Sequence, residues 1–167
     1  MSGIEIERKF LVRKAGAPWR ALASSSSNIK QGYMACHGAT VRVRTRNEKA
    51  FLTIKGPSAN GGMSRYEFET EIAPIDAMQL LKLCRGGLIE KTRYIVTYED
   101  HTFEIDEFHG QNEGLVFAEV ELKDENEAFE LPDFIGPEVT GNRHFYNSHL
   151  LTDAYPNWAE ELPEEYR

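Results

Sequence analysis

Short alternating stretches of apolar and charged residues dominate the chain. Over residues 4–10, Ile4, Ile6 and Phe10 alternate with Glu5, Glu7 and Lys9. A strand has a side-chain period of two, so the three charged residues share one face, with neighbours about 7 Å apart along it. On a helix, positions i and i+2 would point in nearly opposite directions. Arg8 interrupts the apolar stripe and is expected to reach solvent. The same alternation recurs downstream. Residues 29–35 read as a strand, and 40–46 set Arg42, Arg44 and Arg46 against Val41, Val43 and Thr45. Residues 50–55 set Leu52 and Ile54 against Thr53 and Lys55, and 65–72 set Glu67, Glu69 and Glu71 against Tyr66, Phe68 and Ile72. Three more strands are read over 90–98 (Lys91 and Arg93 on one face), 101–108 (Glu104 and Asp106 opposite Phe103 and Ile105) and 115–123 (Glu119, Glu121 and Lys123 opposite Ala118, Val120 and Leu122).

Helical spacing is rarer. Pro18 opens a short helix over 18–23. Ala77, Leu80, Leu81 and Cys84 predict an amphipathic helix over 75–85, stopped by Gly86-Gly87. Asn142 predicts the N-cap of a helix over 143–151, in which Arg143 and Asn147 share a face. Residues 24–28, four serines and an asparagine, read as a polar surface loop. Residues 124–129 and 132–136 read as short helical turns. The pattern implies about eight turn-connected, antiparallel strands with a few flanking helices, a mostly β (α+β) fold. One domain is expected over residues 1–151. An acidic C-terminal tail over 152–167, with Trp158 and Tyr166, is left either docked on the domain or frayed.

The charges sharpen this picture. They recur as i, i+2 pairs sorted by sign from strand to strand. Glu5, Glu7, Glu67, Glu69, Glu104, Asp106, Glu119 and Glu121 are the acidic candidates; Lys9, Arg42, Arg44, Lys55, Lys91 and Arg93 are the basic ones. Solvated outer faces would account for any single strand. An open sheet, however, would scatter its charges among Ser, Thr, Asn and Gln. If helices cover the apolar faces, closing the sheet turns the charges inward. An eight-stranded barrel leaves room for side chains or one small ligand. A dry interior full of charge is penalised unless each charge is paired or metal-bound, so a hydrated tunnel binding a small, highly charged anion through a metal is expected. The carboxylates have no His or Cys at ligand spacing, which favours Mg²⁺, with Mn²⁺ as alternative, over Zn²⁺. The facing Arg and Lys suit a polyphosphate. No P-loop or GxGxxG sequence is present, so phosphate binding falls to side chains.

The totals set bounds. The chain has 167 residues and a formal net charge of −8, which fits one domain and argues against nucleic acid or an anionic membrane as partner. No apolar run approaches the ~18 residues of a membrane span. Two cysteines without ligand spacing read as reduced thiols, and a cytoplasmic location is expected. The five histidines form no HxH or HExxH pattern and read as surface or packing residues.

Glu5-Ile6-Glu7-Arg8-Lys9 resembles the ExExK signature of the CYTH, or triphosphate tunnel metalloenzyme, superfamily. The resemblance continues through Gln31-Gly32-Tyr33, 40–44, 52–56, 66–69, 91–94, 103–106, 118–122 and 139–143. It implies a closed eight-stranded antiparallel β-barrel tunnel and hydrolysis of a triphosphate, most of all inorganic tripolyphosphate to pyrophosphate and phosphate. Thiamine triphosphate or a nucleotide is the alternative substrate, an adenylate cyclase is a weaker reading, and a non-catalytic polyphosphate sensor is the reading from another class. By resemblance, Glu5, Glu7, Glu119 and Glu121 hold the metal, with Asp106 beside them as a ligand or as a support for the cations. Lys9, Arg42, Arg44, Lys55, Lys91, Arg93 and Arg143 grip phosphate, while Glu67 and Glu69, with Asp106, orient those cations or a second metal. Tyr33 matches a tyrosine assigned as proton acceptor in the family and, with Lys9, is the catalytic candidate, its alternative being wall packing. Arg46, Glu71, Glu104 and Lys123 are expected at the rims. Trp19, Trp158 and Tyr166 are the aromatic residues available for an organic substrate at one mouth.

Overall fold

The computed structural model describes residues 2–167; Met1, the first residue of the expected domain, lies outside the described residues. Among the described residues nine strands form: β1 (Ser2–Val12), β2 (Ser25–Met34), β3 (Thr40–Arg46), β4 (Lys49–Lys55), β5 (Ser64–Ile72), β6 (Ile89–Tyr98), β7 (His101–Phe108), β8 (Val116–Glu121) and β9 (Ile135–Glu138). Two α-helices accompany them, α1 (Pro18–Leu22) and α2 (Pro74–Leu83), each with proline in its first turn, where its missing N–H costs no hydrogen bond. Eight strands close a ring in the order β1-β5-β4-β3-β2-β6-β7-β8 and back to β1, every pair antiparallel. β1 is the seam: residues 2–6 pair with β5, and residues 7–11 pair with β8. β9 adds a short ninth strand to the far end of β1, through Val12↔Ile135 and Phe10↔Glu138. The two-residue turn between β3 and β4 places Asn47 at φ 52°, a left-handed conformation that asparagine tolerates.

Much of the apolar core lies outside the ring. Phe103, Ile105, Ala118 and Val120 project from β7 and β8 against Trp19 of α1 and Phe134–Ile135, forming one cluster. The stripe of α2 behaves as its spacing predicts: Ala77 is buried, and Leu80, Leu81 and Cys84 pack with it against Val43 and Ala50. A third cluster differs, because it fills one end of the ring. Leu11 follows Lys9 by two residues and faces Phe117 in register; Phe108 faces Lys91, and Ile89 faces Gln31. These four apolar side chains therefore point inward, and Phe145, Leu150, Tyr155, Trp158 and Tyr166 pack onto them. The C-terminal segment is a string of 3₁₀ turns that covers this end.

Three local expectations are overturned. Residues 25–28 are not a loop but the first part of β2, paired with residues 92–95 of β6. A ladder is made of backbone N–H and C=O groups, so polar side chains on its solvent side do not prevent it. Residues 135–136, expected in a helical turn, begin β9, where free edge groups of β1 recruit them. The 143–151 helix is replaced by two 3₁₀ turns, Arg143–Phe145 and His149–Leu151. The cap itself forms, since the Asn142 side chain accepts from the His144 N–H. Extended backbone at Tyr146 then breaks the helix and swings Asn147 toward the barrel interior, where it accepts from Lys91 Nζ at 2.9 Å and Gln31 Nε2 at 3.2 Å. No helix of the described residues is long and apolar enough to cross a membrane.

The close approach of α2's end to β2 gives a test of the packing. A Cβ on Gly32 would stand 2.7 Å from Cys84 Cβ and 2.9 Å from Leu88 Cδ2. Gly32→Ala is therefore expected to destabilise the protein by about 1–3 kcal/mol through overpacking, read as a lowered midpoint in urea with an unchanged slope.

Candidate active site

The inward faces of the strands meet around a cavity of about 550 Å³, within the range of small-molecule sites. Seven glutamates (Glu5, Glu7, Glu67, Glu69, Glu104, Glu119, Glu121) and eight cations (Lys9, Arg42, Arg44, Arg46, Lys55, Arg65, Lys91, Arg93) line it, so the wall is close to neutral overall rather than a bare cationic pit. Tyr33, Tyr146, Asn147 and Ser148 also line it, with residues 38–40 and 56–58. Register explains the pairing of the charges. Lys9 faces Glu119, Lys55 faces Glu67, Glu5 faces Arg65, and Arg93 faces Asp106 across neighbouring strands. Opposite charges so placed are a few ångströms apart before any side chain moves.

The carboxylates fall into two groups. Asp106 is fully buried beneath two cations. Its Oδ1 accepts from Arg93 Nε at 2.7 Å, and its Oδ2 accepts from Arg93 Nη2 at 2.7 Å and Lys91 Nζ at 2.6 Å. Burial opposes its charge, but Arg93 and Lys91 outweigh burial and hold it below the usual carboxylate range. Asp106, expected among the metal ligands, does not line the cavity, and both of its oxygens already accept from Arg93 or Lys91, a placement suited to positioning those cations. Glu69 likewise holds cations: it accepts from Thr53 Oγ1 at 2.8 Å, Arg44 Nη2 at 3.1 Å and Arg42 Nη2 at 3.4 Å. Glu67 lies 2.8 Å from Lys55 Nζ. Glu119 bonds Lys9 Nζ and accepts from Arg93 Nη2 at 3.0 Å; despite burial, Lys9 and Arg93 pull its carboxyl well down.

Glu121 is different. Among the described residues it has no hydrogen bond or ion pair assigned to it, and it faces Glu7 directly across the β1–β8 ladder. Although the residue keeps contact with solvent, partial desolvation, reinforced by Glu5, Glu104, Glu67 and Glu7, pushes its carboxyl up. Like charges directly opposite in a ladder are destabilising, and a shared cation relieves them. Glu5 approaches Lys55 Nζ at 2.6 Å and Arg65 Nε at 3.3 Å; Glu7 approaches Lys9 Nζ at 3.1 Å and Arg65 Nη2 at 3.7 Å. The donor set is all oxygen, with no His or Cys in the lining, so it fits a hard divalent cation.

The cations carry the complementary signal. Arg42 Nε and Arg44 Nε are buried donors with no acceptor among the described residues. Buried donors without partners are uncommon, and here they belong to guanidinium groups lining a cavity. Burial, with Arg42 and Arg93 nearby, brings Arg44 down to about 10, which still leaves it charged at neutral pH. Lys9 is held above its ordinary value, because Glu119 and Glu7 outweigh the cost of burial. Tyr33 Oη accepts from Gln31 Nε2 at 2.7 Å, and burial pushes its phenol up, so it stays protonated and keeps its own O–H to donate.

Not every candidate reaches the cavity. Arg143 is exposed on its 3₁₀ turn and does not line it, because the broken helix sends Asn147, not Arg143, inward. Glu71 is exposed and pairs with Lys49, and Lys123 is exposed; neither lines the cavity, whereas Arg46 and Glu104 do. Trp19, Trp158 and Tyr166 are buried in the apolar clusters and provide no platform at a mouth. Arg65 was missed, although it stands two residues before Glu67 on the same stripe and the period of two places it inward. Gln31 and Asn147 had no comparable signal, since tertiary contact alone brings them to Tyr33 and Lys91.

Comparison with known proteins follows the same lines. A family model described as the CYTH domain matches residues 3–147. The chain is 46% identical over 160 residues to an inorganic triphosphatase of Acetivibrio thermocellus, spanning 95% of this chain and 99% of that protein. It is 35% identical over 151 residues to an inorganic triphosphatase of Nitrosomonas europaea, spanning 87% of this chain and 95% of that protein. The fold matches the crystal structure of the inorganic triphosphatase NE1496 with a TM-score of 0.60 at 30% identity, over 88% of this chain and 93% of that one. The PH1012 protein of Pyrococcus horikoshii, at 21% identity and a TM-score of 0.58 over 97% of this chain and 93% of that one, shares the fold alone.

The position of Asp106 gives a direct test. Asp106→Asn leaves Lys91 and Arg93 without their buried counter-charge and is expected to destabilise the fold by about 3–5 kcal/mol. Divalent-cation affinity, measured by calorimetric titration below the unfolding range, is expected to stay close to that of the parent protein. Loss of the metal site in this variant would restore Asp106 as a ligand.

Proposed function

The chain belongs to the CYTH domain family, and from that premise we propose that it is an inorganic triphosphatase, hydrolysing tripolyphosphate to pyrophosphate and phosphate inside the barrel. The observation that carries this reading is the pair of buried Arg42 and Arg44 Nε donors, without acceptors, set against the opposed Glu7 and Glu121 carboxylates. The donors without acceptors suit an oxygen-rich anion, and the opposed carboxylates suit a cation bound with it. Glu5, Glu7, Glu119 and Glu121 would hold a divalent ion of the Mg²⁺ or Mn²⁺ class, which, when bound, supplies phosphate neutralisation and Lewis-acid polarisation.

The remaining side chains position and stabilise. Lys9, Lys55 and Lys91 present ammonium groups as point charges, and Arg42, Arg44 and Arg93 present planar donor arrays that match phosphate oxygens. Each charge-assisted hydrogen bond contributes on the order of 1.5–3 kcal/mol. In an in-line displacement, charge spreads over the transferred phosphoryl oxygens, and fixed cations stabilise it without reorganising. Glu69 and Asp106 keep the guanidinium groups in place before substrate arrives. Tyr33, held protonated, donates to a phosphate oxygen rather than accepting a proton. The acceptor that orients the attacking water then comes from the wall carboxylates. No exposed tryptophan flanks the cavity to stack on a base or a thiazole, which favours the inorganic substrate over an organic triphosphate.

Phosphate release from tripolyphosphate is expected with Mg²⁺ or Mn²⁺ and is expected to vanish with a chelator, with slower turnover of ATP and thiamine triphosphate. Binding without release would turn the reading toward a polyphosphate sensor. Glu121→Gln is expected to lower metal-supported kcat/KM by at least about a hundredfold, since it removes the carboxylate with no other partner. Arg44→Ala is expected to lose about a hundredfold as well, shared between KM and kcat.

Lys91 sets a pH limit. Burial, deepened by Arg93 and offset in part by Asp106, brings its ammonium down to about 8. Below that pH the charge is present; as pH rises through it, the charge and a phosphate contact are lost. The free-enzyme kcat/KM is therefore expected to fall as pH rises through about 8, and Lys91→Arg, charged throughout, is expected to flatten that limb. An unaltered limb in the arginine variant would assign it to another group.

A further inference from the structure

The segment that covers the apolar end of the barrel carries a second set of ligating atoms, remote in chemistry from the all-oxygen cavity. His144 lies in the first 3₁₀ turn, His149 opens the next, and Asp153 follows four residues later. His144 Nε2 lies 3.7 Å, and His149 Nε2 3.8 Å, from the same oxygen, Asp153 Oδ2. One ligand atom from each of the three falls within 4.8 Å of the other two. Ligands around a tetrahedral Zn²⁺ stand about 3.3 Å apart, so small side-chain rotations bring this trio to bonding geometry.

The surroundings orient all three. Asp153 Oδ1 accepts from Asn157 Nδ2 at 3.0 Å, which leaves Oδ2 for the imidazoles. The His144 ring stacks on Trp158 at 4.5 Å and lies nearly parallel to His149, at 6.1 Å and 11°, so both ring planes are set by packing. On its far side, His144 Nδ1 faces Glu161 Oε2 at 3.9 Å. That contact is longer than a hydrogen bond, so it adds only charge complementarity on the Nδ1 side while Nε2 faces Asp153. The three side chains are 28%, 23% and 35% exposed, open enough to admit an ion and a fourth, water ligand.

We propose that His144, His149 and Asp153 form a binding site for a transition metal ion of the Zn²⁺ class, distinct from the cavity's hard-cation site. Two imidazole nitrogens and one carboxylate oxygen select Zn²⁺, Co²⁺ or Ni²⁺ over Mg²⁺. The ion joins the two sides of the loop that carries Tyr146, Asn147 and Ser148 into the cavity wall, and it ties that loop to the segment bearing Trp158. It thus staples the cover onto the barrel. The competing account is an ion pair between protonated imidazole and Asp153, which takes up no metal.

The test is calorimetric titration of Zn²⁺ into the full chain in excess Mg²⁺, so that the cavity carboxylates meet the hard ion first, with Co²⁺ as spectroscopic probe. One Zn²⁺ per chain is expected, together with a Co²⁺ absorption band of four-coordinate intensity and a Tm that climbs with Zn²⁺ concentration. His149→Gln and, as an independent variant, Asp153→Asn are each expected to weaken Zn²⁺ by at least about tenfold and to abolish the Tm rise. His149→Gln is expected to retain Mg²⁺-supported hydrolysis of tripolyphosphate, so failure of this site and failure of the proposed activity are separable. Absence of Zn²⁺ uptake above the Mg²⁺ background, uptake unchanged in both variants, or a Co²⁺ band of six-coordinate weakness would overturn the proposal.

Discussion

Charge compensation inside a closed ring is the constraint on which this structure depends. Fifteen charged side chains turn toward one cavity, and several of them are almost wholly removed from water. An unpaired buried charge costs several kcal/mol, so a barrel with this interior can close only if partners arrive in register. They do, because antiparallel pairing sets Lys9 opposite Glu119 and Arg93 opposite Asp106. The apolar faces of the same strands are freed to pack outward, against α1, α2 and β9, which is why much of the core surrounds the barrel rather than filling it.

The compensation is incomplete in two places, and the two are complementary. Glu7 and Glu121 oppose each other with more negative charge than the adjacent cations relieve, and the buried Nε groups of Arg42 and Arg44 lack acceptors. A wall optimised for stability alone would pair these groups with one another. Leaving them apart keeps electrostatic potential at the cavity wall uncompensated. Residues one layer back, Asp106 above all, bear the cost of holding the cations still.

The interior is also divided along its length. Beyond Lys9 and Lys91 the inward positions become Leu11, Phe117, Phe108 and Ile89, and the C-terminal 3₁₀ turns seal that end with Phe145, Leu150 and Trp158. Lys9 Nζ and Lys91 Nζ stand 5.6 Å and 5.4 Å from the Phe117 and Phe108 rings, so the boundary between wet and apolar halves is marked by cation–π contacts. Asn147 links this cover to the charged wall through its bond from Lys91.

The sequence by itself determined the eight strands of the ring apart from the start of β2, the dominant sign of most inward stripes and the outward stripe of α2. A period of two or of 3.6 is a local property, and each stripe is legible within seven or eight residues. From the alternation, together with the resemblance carried by its motifs, the closed barrel and the expected chemistry followed. The same period would have found Arg65. Only tertiary structure decided the rest. Asp106 shares its stripe with Glu104, yet Lys91 and Arg93 together bury Asp106, whereas Glu104 meets only Arg93 and stays in the cavity lining. Residues 25–28 became a strand because the β6 backbone was there to pair with them, and in place of the 143–151 helix two 3₁₀ turns flank an extended Tyr146 that sets Asn147 against Lys91 and Gln31. Each of these outcomes was set by a partner more than ten residues away in the chain, and the identity of that partner is not written in the local pattern.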